Sequence, residues 1–384
     1  MRTMTIEKAA NILSGFDVSG SLANVVVEGN GFINDTFIAT FSEATGEKRV
    51  VLQRINHRVF SRPQDVMSNL RIISGHCLAE IQKDPMEHGR HWQVARVVPL
   101  KGGGDFWTDA EGNVWRCLTF IESAHAPDMV ADASVAEECG KVLGHFLYLV
   151  SDIDVAQVVT TIPGFHVTGR YLQQYDQAVR NRSANGKSKP PDPDVRSLME
   201  FVDARREFAG VLERAEQTGA LRRRIIHGDP RIGNMLMDDE TGKGVAMIDL
   251  DTCAPGLVQM DVGDAVRSIC NPVGEDYEDI RDVAFREDVF AAFMTGFLNE
   301  MRNCLSMSDL SYMYPAIRLL PFELGLRFLT DHLKGNVYFK VKEEGQNLKR
   351  AQGQFRLCEI IENKEREIKR LLDACWNESG RIHE

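Results

Sequence analysis

Short runs of β-branched and aromatic residues, set off by turn signals, dominate the first third of the chain. Leu22, Val25 and Val27, then 37–41, then 49–53 read as three strands in meander order, with Gly/Asn-rich and Thr45–Gly46 turns between them. Val66, Leu70, Ile73 and Cys77 recur at helical spacing and predict a helix over 65–81. Two further strands are expected around 94–98 and 114–120, separated by the turn-rich stretch 101–105. The pattern predicts a five-stranded antiparallel sheet with one helix. Helical periodicity returns at 134–150 and again at 195–218, on either side of a polar, proline-rich stretch at 181–194 expected to form a mobile loop. A hairpin is expected next, with strands at 235–237 and 245–248 and a turn at 241–244. Everything after Phe285 reads as helical, ending in one long charged amphipathic segment over 347–376.

Composition narrows the classes. A chain of 384 residues exceeds the usual size of a single core, so two domains are expected, and the pattern change places them at 1–122 and 123–384. A net charge of -11 argues against nucleic acid as a partner, while a few local cations and a divalent metal can still hold a small phosphate. The N-terminus lacks the apolar core of a signal peptide, and no apolar run is long enough to span a bilayer. Eight scattered cysteines without close pairs suggest reduced, buried thiols in a cytoplasmic protein. Nothing in the pattern speaks to oligomeric state.

The chemistry concentrates in one stretch. His227, Gly228, Asp229 and Asn234 precede the hairpin, and Ile248, Asp249, Leu250 and Asp251 follow it. Phosphoryl transfer needs a carboxylate to orient the attacking hydroxyl and take its proton, and oxygen ligands for the magnesium that bridges the nucleotide phosphates. Asp229, Asn234 and Asp249 supply groups of those types. A capping role for Asp229 is the alternative for the tripeptide alone. Asp251 could touch a second metal or cap the segment that follows it.

The pattern H-x-D-x-x-x-x-N, hairpin, I-D resembles the aminoglycoside phosphotransferase and choline kinase superfamily. Within it, residues 29–34, 51–53, 234–238, 248–252, 262–264, 325–329 and 334–339 are similar to bacterial N-acetylhexosamine 1-kinases. The resemblance implies an α+β, protein-kinase-like bilobal fold, with a small antiparallel-sheet N-lobe and a larger, mainly helical C-lobe. It implies Asp229 as catalytic base, Asn234 and Asp249 as ligands of Mg²⁺, and ATP as donor. Asp261 and Asp264 match the acidic pair that anchors the catalytic loop. The turn Gly29, Asn30 and Gly31 would approach the nucleotide phosphates, and Phe120 and Ile121 would meet adenine at the hinge. Arg327, Asp331 and Tyr338 would bind the acceptor, expected to be a sugar phosphorylated on its anomeric hydroxyl.

Two departures stand out. Kinases of this fold carry a Lys on the third strand, whereas this chain has Gln53 there, with Arg54 and Arg71 nearby. Gln53 as a neutral phosphate donor is the favoured reading. Phe32 stands where the resembling subgroup carries His. Another hydroxylated acceptor (an aminoglycoside, choline or homoserine) and an inactive nucleotide-binding scaffold are the competing readings, with a metal-dependent hydrolase the weakest.

Overall fold

The computed structural model describes residues 4–28, 33–44, 46–83, 90–184 and 192–382. The chain divides into two compact units, each drawn from separate stretches of sequence. The first comprises Met1–Ala124, Ile153–Pro163 and Ile248–Ala254; the second comprises His125–Asp152, Gly164–Met247 and Pro255–Glu384. A single cut at residue 122 leaves out two short excursions, 153–163 and 248–254, that pack with the first unit.

The first unit is built on α1 (Ile6–Leu13), β1 (Ser21–Val27), β2 (Asp35–Glu43), β3 (Gly46–Ile55), α2 (Pro63–Ile81), β4 (Val97–Val98), β5 (Trp107–Thr108) and β6 (Val114–Thr119). The sheet is antiparallel in the order β1-β2-β3-β6-β4, with β5 also pairing to β6. Among the described residues it has six strands and two α-helices, against the five and one expected. The extra strand, β5, is two residues long and carries no periodic signal. Alternation along β2 and β3 sends Phe37, Ala39, Phe41, Val50 and Leu52 to one face, where they bury Ala9, Ile12 and Leu13 of α1 and Phe16. Register sets Gln53 of β3 directly opposite Arg116 of β6.

The second unit is mainly helical: α3 (Ala133–Leu149), α4 (Thr168–Ala184), α5 (Pro193–Asp203), α6 (Val211–Gln217), α7 (Val258–Ile269), α8 (Glu287–Met301), α9 (Met307–Ser311), α10 (Met313–Lys334), α11 (Gln346–Asn363) and α12 (Glu365–Ile382). Its core gathers around α10, whose Leu319, Leu320, Phe322 and Leu326 pack with Val202, Leu212 and Phe355. The stretch expected as one helix over 195–218 is broken after Asp203, where Arg205 turns back over the Phe201 ring and pairs with Glu362. The long C-terminal segment is likewise two helices, parted at Lys364. Of the loop expected over 181–194, residues 185–191 lie outside the described residues, while 181–184 end α4 and 193–194 begin α5. The hairpin falls at Met235–Asp238 and Gly244–Met247.

All eight cysteines are free thiols, and burial pushes those of Cys77, Cys117, Cys139 and Cys358 up to about 12. Among the described residues, no helix is long and apolar enough to cross a membrane.

Candidate active site

In the helical unit the segment from His227 to Asn234 is a loop held from beneath. Asp261 on α7 is fully buried, and its two carboxylate oxygens accept the backbone N–H groups of His227 (2.7 Å) and Gly228 (2.8 Å). Burial pushes Asp261 up to about 7, against the pull of those two donors and of His166. Gly228 has φ +84, which favours glycine, and its carbonyl accepts Nε2 of His166 at 2.8 Å. The other nitrogen of His166, Nδ1, lies 2.8 Å from Glu323, which also accepts the hydroxyl of Thr168. Burial disfavours charge on His166, but Glu323 outweighs it and raises the imidazole to about 9. A buried imidazolium therefore ties Glu323 of α10 to the loop backbone. Asp264 is buried beside Arg267 on the same helix, 2.8 Å away.

Above this floor, the amide nitrogen of Asn234 donates to the Asp229 carbonyl at 2.8 Å and lies 3.4 Å from its carboxylate. Those donations engage the Asn234 nitrogen, so its oxygen is the atom that could hold a metal. The Asp229 carboxylate is about one-third exposed and has Arg231 Nε at 3.4 Å.

Arg327, half-buried on α10, sits among four rings: Tyr171 (5.1 Å), Phe165 (5.4 Å), Phe339 (5.5 Å) and Tyr338 (6.0 Å). Burial disfavours its charge, while Tyr171, Tyr338, Glu323 and Asp264 favour it and prevail. Phe165 packs on the His166 ring at 4.1 Å, so the box around Arg327 adjoins the group that holds Gly228. Arg327 and Asp331 share a helix but do not pair. The Asp331 carboxylate accepts the backbone N–H groups of Val337, Tyr338 and Phe339 at 2.9–3.0 Å, and Asn347 at 2.9 Å. It thereby holds the loop that carries Tyr338.

In the sheet unit Asp249 has φ 62 and ψ 55, a left-handed backbone, at the start of the turn Leu250–Thr252. Asp251 is neither a free metal ligand nor a cap. Its buried carboxylate accepts Arg116 at 2.5 Å and Asn34 at 2.8 Å. Gln53 donates to Thr36 at 3.0 Å, and its oxygen accepts two Arg116 N–H groups, leaving at most one amide hydrogen for a ligand. Arg54 and Arg71, the other expected cations, pair with Asp35 and Asp105. Ile121 is buried, and the Phe120 ring lies under Arg49 at 4.2 Å. Phe120 also borders a concavity of about 690 Å³ whose lining mixes Lys48, Arg49 and Arg96 with Glu43, Glu47 and Glu122, a charged surface for an aromatic base. Gly29, Asn30 and Gly31, with Phe32, lie outside the described residues.

Sequence reasoning missed Arg116, His166 and Glu323. A lone charged residue inside the otherwise apolar run 114–118 was the available signal for Arg116. His166 and Glu323 sit 157 residues apart and left none.

Solved structures share the fold. An aminoglycoside phosphotransferase from Alicyclobacillus acidocaldarius superposes with a TM-score of 0.59 at 13% identity, over 96% of this chain and 98% of that one. Choline kinase from Cryptosporidium parvum gives 0.57 at 14% identity, over 90% and 91%. A microcompartment-associated aminopropanol kinase gives 0.55 at 15% identity, over 95% and 99%. The antiparallel-sheet unit and the helical unit are thus those of the protein-kinase-like α+β fold. The family model of the phosphotransferase enzyme family (APH) matches residues 29–293, more than half of the chain, which takes in the His227–Asn234 loop, the hairpin and Asp249. The chain belongs to the phosphotransferase enzyme family and is a small-molecule phosphotransferase.

Proposed function

We propose that this phosphotransferase uses ATP and Mg²⁺ to phosphorylate a hydroxyl of an uncharged sugar, with the anomeric hydroxyl of an N-acetylhexosamine as the leading acceptor. The observation that carries the acceptor class is Arg327. It is a half-buried cation, walled by four rings, with no carboxylate at ion-pair distance among the described residues. Choline and aminopropanol, named for two structural neighbours, carry cations. A guanidinium without a paired anion would repel such groups and suits the oxygens of a sugar, whose apolar face can rest on an aromatic ring.

Asp229 serves as base: the acceptor O–H proton passes to its carboxylate while the acceptor oxygen forms a bond to the γ-phosphorus. The bond from that phosphorus to the β,γ-bridging oxygen breaks, and ADP leaves. An anomeric hydroxyl is more acidic than an ordinary alcohol, so a single carboxylate suffices. The oxygen of Asn234 and the carboxylate of Asp249 are hard donors that fit Mg²⁺, which when bound would offset charge on the phosphate oxygens. The turn at Gly29, Asn30 and Gly31, with Gln53, Phe120 and Ile121, belongs to the nucleotide side in this reading, Gln53 acting through Arg116. In this reading the nucleotide domain is 1–122 together with the excursions 153–163 and 248–254, and the rest of 123–384 is the catalytic and acceptor domain, in the cytoplasm.

The test is an acceptor screen with ATP and Mg²⁺, comparing N-acetylglucosamine, N-acetylgalactosamine, plain hexoses, choline and kanamycin. Turnover of an N-acetylhexosamine is expected, and Arg327→Ala should raise the KM for sugar about tenfold or more while leaving that for ATP unchanged. Turnover of choline or kanamycin in preference to every sugar would overturn the acceptor assignment and leave the reaction class standing.

A further inference from the structure

The sheet unit solves a problem that its third strand creates. That strand brings Gln53, not Lys, to the position where kinases of this fold hold a cation, and Arg54 and Arg71 are paired elsewhere. One cation does occupy the interior of the sheet. Arg116 comes from the adjacent strand, β6, opposite Gln53, and is 1% exposed. A guanidinium so placed needs partners, because an uncompensated buried charge is strongly destabilising. Its Nε and Nη2 donate to the Gln53 oxygen at 2.9 and 2.7 Å, and Nη1 donates to Asp251 at 2.5 Å. Gln53 thus acts as an acceptor that orients the cation, a role Lys could not fill.

The other end of the ion pair matters more. Asp251 lies two residues beyond Asp249, and its second oxygen accepts Asn34, whose own oxygen accepts the backbone N–H of Asn56 at 3.0 Å. Thr161 donates to the Asp251 carbonyl at 2.8 Å, and Asn69 of α2 donates to the Cys253 carbonyl at 3.3 Å. The segment Ile248–Ala254 is therefore fastened to the sheet unit at side chain and main chain alike. Asp249 sits inside it with a left-handed backbone, a conformation that persists only where its surroundings over-determine it.

We infer that Arg116 is a positioning residue for phosphoryl transfer: through its ion pair with Asp251 it fixes the backbone from which Asp249 presents its carboxylate to MgATP. The cation that organises this half of the site has moved from the third strand to its neighbour, and Gln53 accompanies that move. Arg116 is too enclosed to touch the phosphates itself. The inference rests on the reading of Asp249 as a ligand in nucleotide binding, and it is independent of the acceptor.

The experiment compares wild type with Arg116→Met, Arg116→Lys, Asp251→Asn and the double variant Arg116→Met/Asp251→Leu. Tm, the affinity for MgATP by calorimetry and the Mg²⁺ dependence of turnover are measured on each. Each single variant should raise the KM for MgATP about tenfold or more and shift the Mg²⁺ requirement upward, with the KM for acceptor unchanged. Arg116→Lys, which keeps the charge but loses the fork, should fall between wild type and Arg116→Met. The double variant removes both buried charges, so its Tm should recover while its KM for MgATP stays high. Recovery of MgATP affinity together with Tm would reduce the pair to a fold-stabilising contact and overturn the inference. Single variants with wild-type MgATP affinity, alongside an Asp249→Ala variant that loses it, would overturn the inference alone. Wild-type MgATP affinity in Asp249→Ala would remove the ligand reading and the inference with it.

Discussion

Asp331 fastens the loop that follows α10. Its carboxylate accepts three successive backbone N–H groups, at Val337, Tyr338 and Phe339, so Asp331→Ala would leave donors unmet at each. Val337 and Tyr338 are exposed, so water can meet part of the loss, and the net cost is about 0.5–1.5 kcal/mol per hydrogen bond. Thermal melting should show a Tm lowered by several degrees, and the acceptor KM should rise with Tyr338 no longer held. Asp229→Asn makes the contrasting case: the amide keeps the size but cannot take the proton. Turnover should vanish while calorimetry finds MgATP affinity nearly intact. His166 adds a pH signature. Its imidazole is raised from its ordinary 6.5 to about 9, so the folded state holds the proton more tightly than the unfolded chain. The stability this contributes is fully present below pH 6.5 and is lost as pH rises through 9. Tm should therefore fall between pH 7 and 10, and His166→Gln should make that slope shallower. At this scale, local spacing was legible. Asp229, Asn234 and Asp249 fall within 21 positions, so spacing alone groups them as candidates. The carboxylate partners of Arg116 and His166 lie 135 and 157 residues away, and only the folded chain brings them together.

Among elements, the strands were readable because β-branched runs and turn residues agreed, and the hairpin because its turn is short. α1 was missed although Ile6, Ala9, Ile12 and Leu13 recur at helical spacing and Thr5 caps its first turn. Eight residues offer too few repeats for the pattern to stand out. The break at Lys364 carries neither Gly nor Pro, and the one after Asp203 meets a glycine only at Gly210, next to the start of α6; tertiary contacts such as that of Arg205 with Glu362 accompany the first turn away from the helix. The crossing of α3 and α8 shows packing that sequence patterns do not mark. A Cβ on Gly140 would lie 2.0 Å from the Phe293 carbonyl oxygen, and one on Gly296 would lie 2.0 Å from that of Glu137. Backbone meets backbone there, so neither helix can yield without moving whole. Gly140→Ala and Gly296→Ala should each destabilise the fold by about 2 kcal/mol or more. Gly169→Ala on α4, where nothing lies within 4 Å, should instead raise stability by up to about 1 kcal/mol. Chemical denaturation of the three variants checks both signs.

For the molecule as a whole, composition pointed to two units and the resemblance to their kind, but neither marked their interleaving. The sheet unit reclaims 153–163 and 248–254 after the chain has left it, because the carboxylate that neutralises Arg116 is at position 251. A fragment covering 1–124 would keep the sheet and lose that counter-charge, along with the hydroxyl of Thr161. Expressed alone, it should give broad, non-cooperative unfolding by circular dichroism. The intact chain, which supplies the later segment, should unfold in a sharper transition under the same conditions.

The exchange of an amine for a guanidinium at the heart of the sheet also has a pharmacological consequence. Nucleotide-shaped electrophiles that acylate an amine beside the bound phosphates depend on a nucleophile that can shed its proton. A guanidinium stays protonated at any physiological pH. Here the third strand offers a carboxamide at position 53, and the nearby cation is buried and held by Gln53 and Asp251. Warheads of that kind should leave residues 50–55 and 114–119 unmodified, and selectivity against this enzyme would have to be sought among the aromatic rings around Arg327.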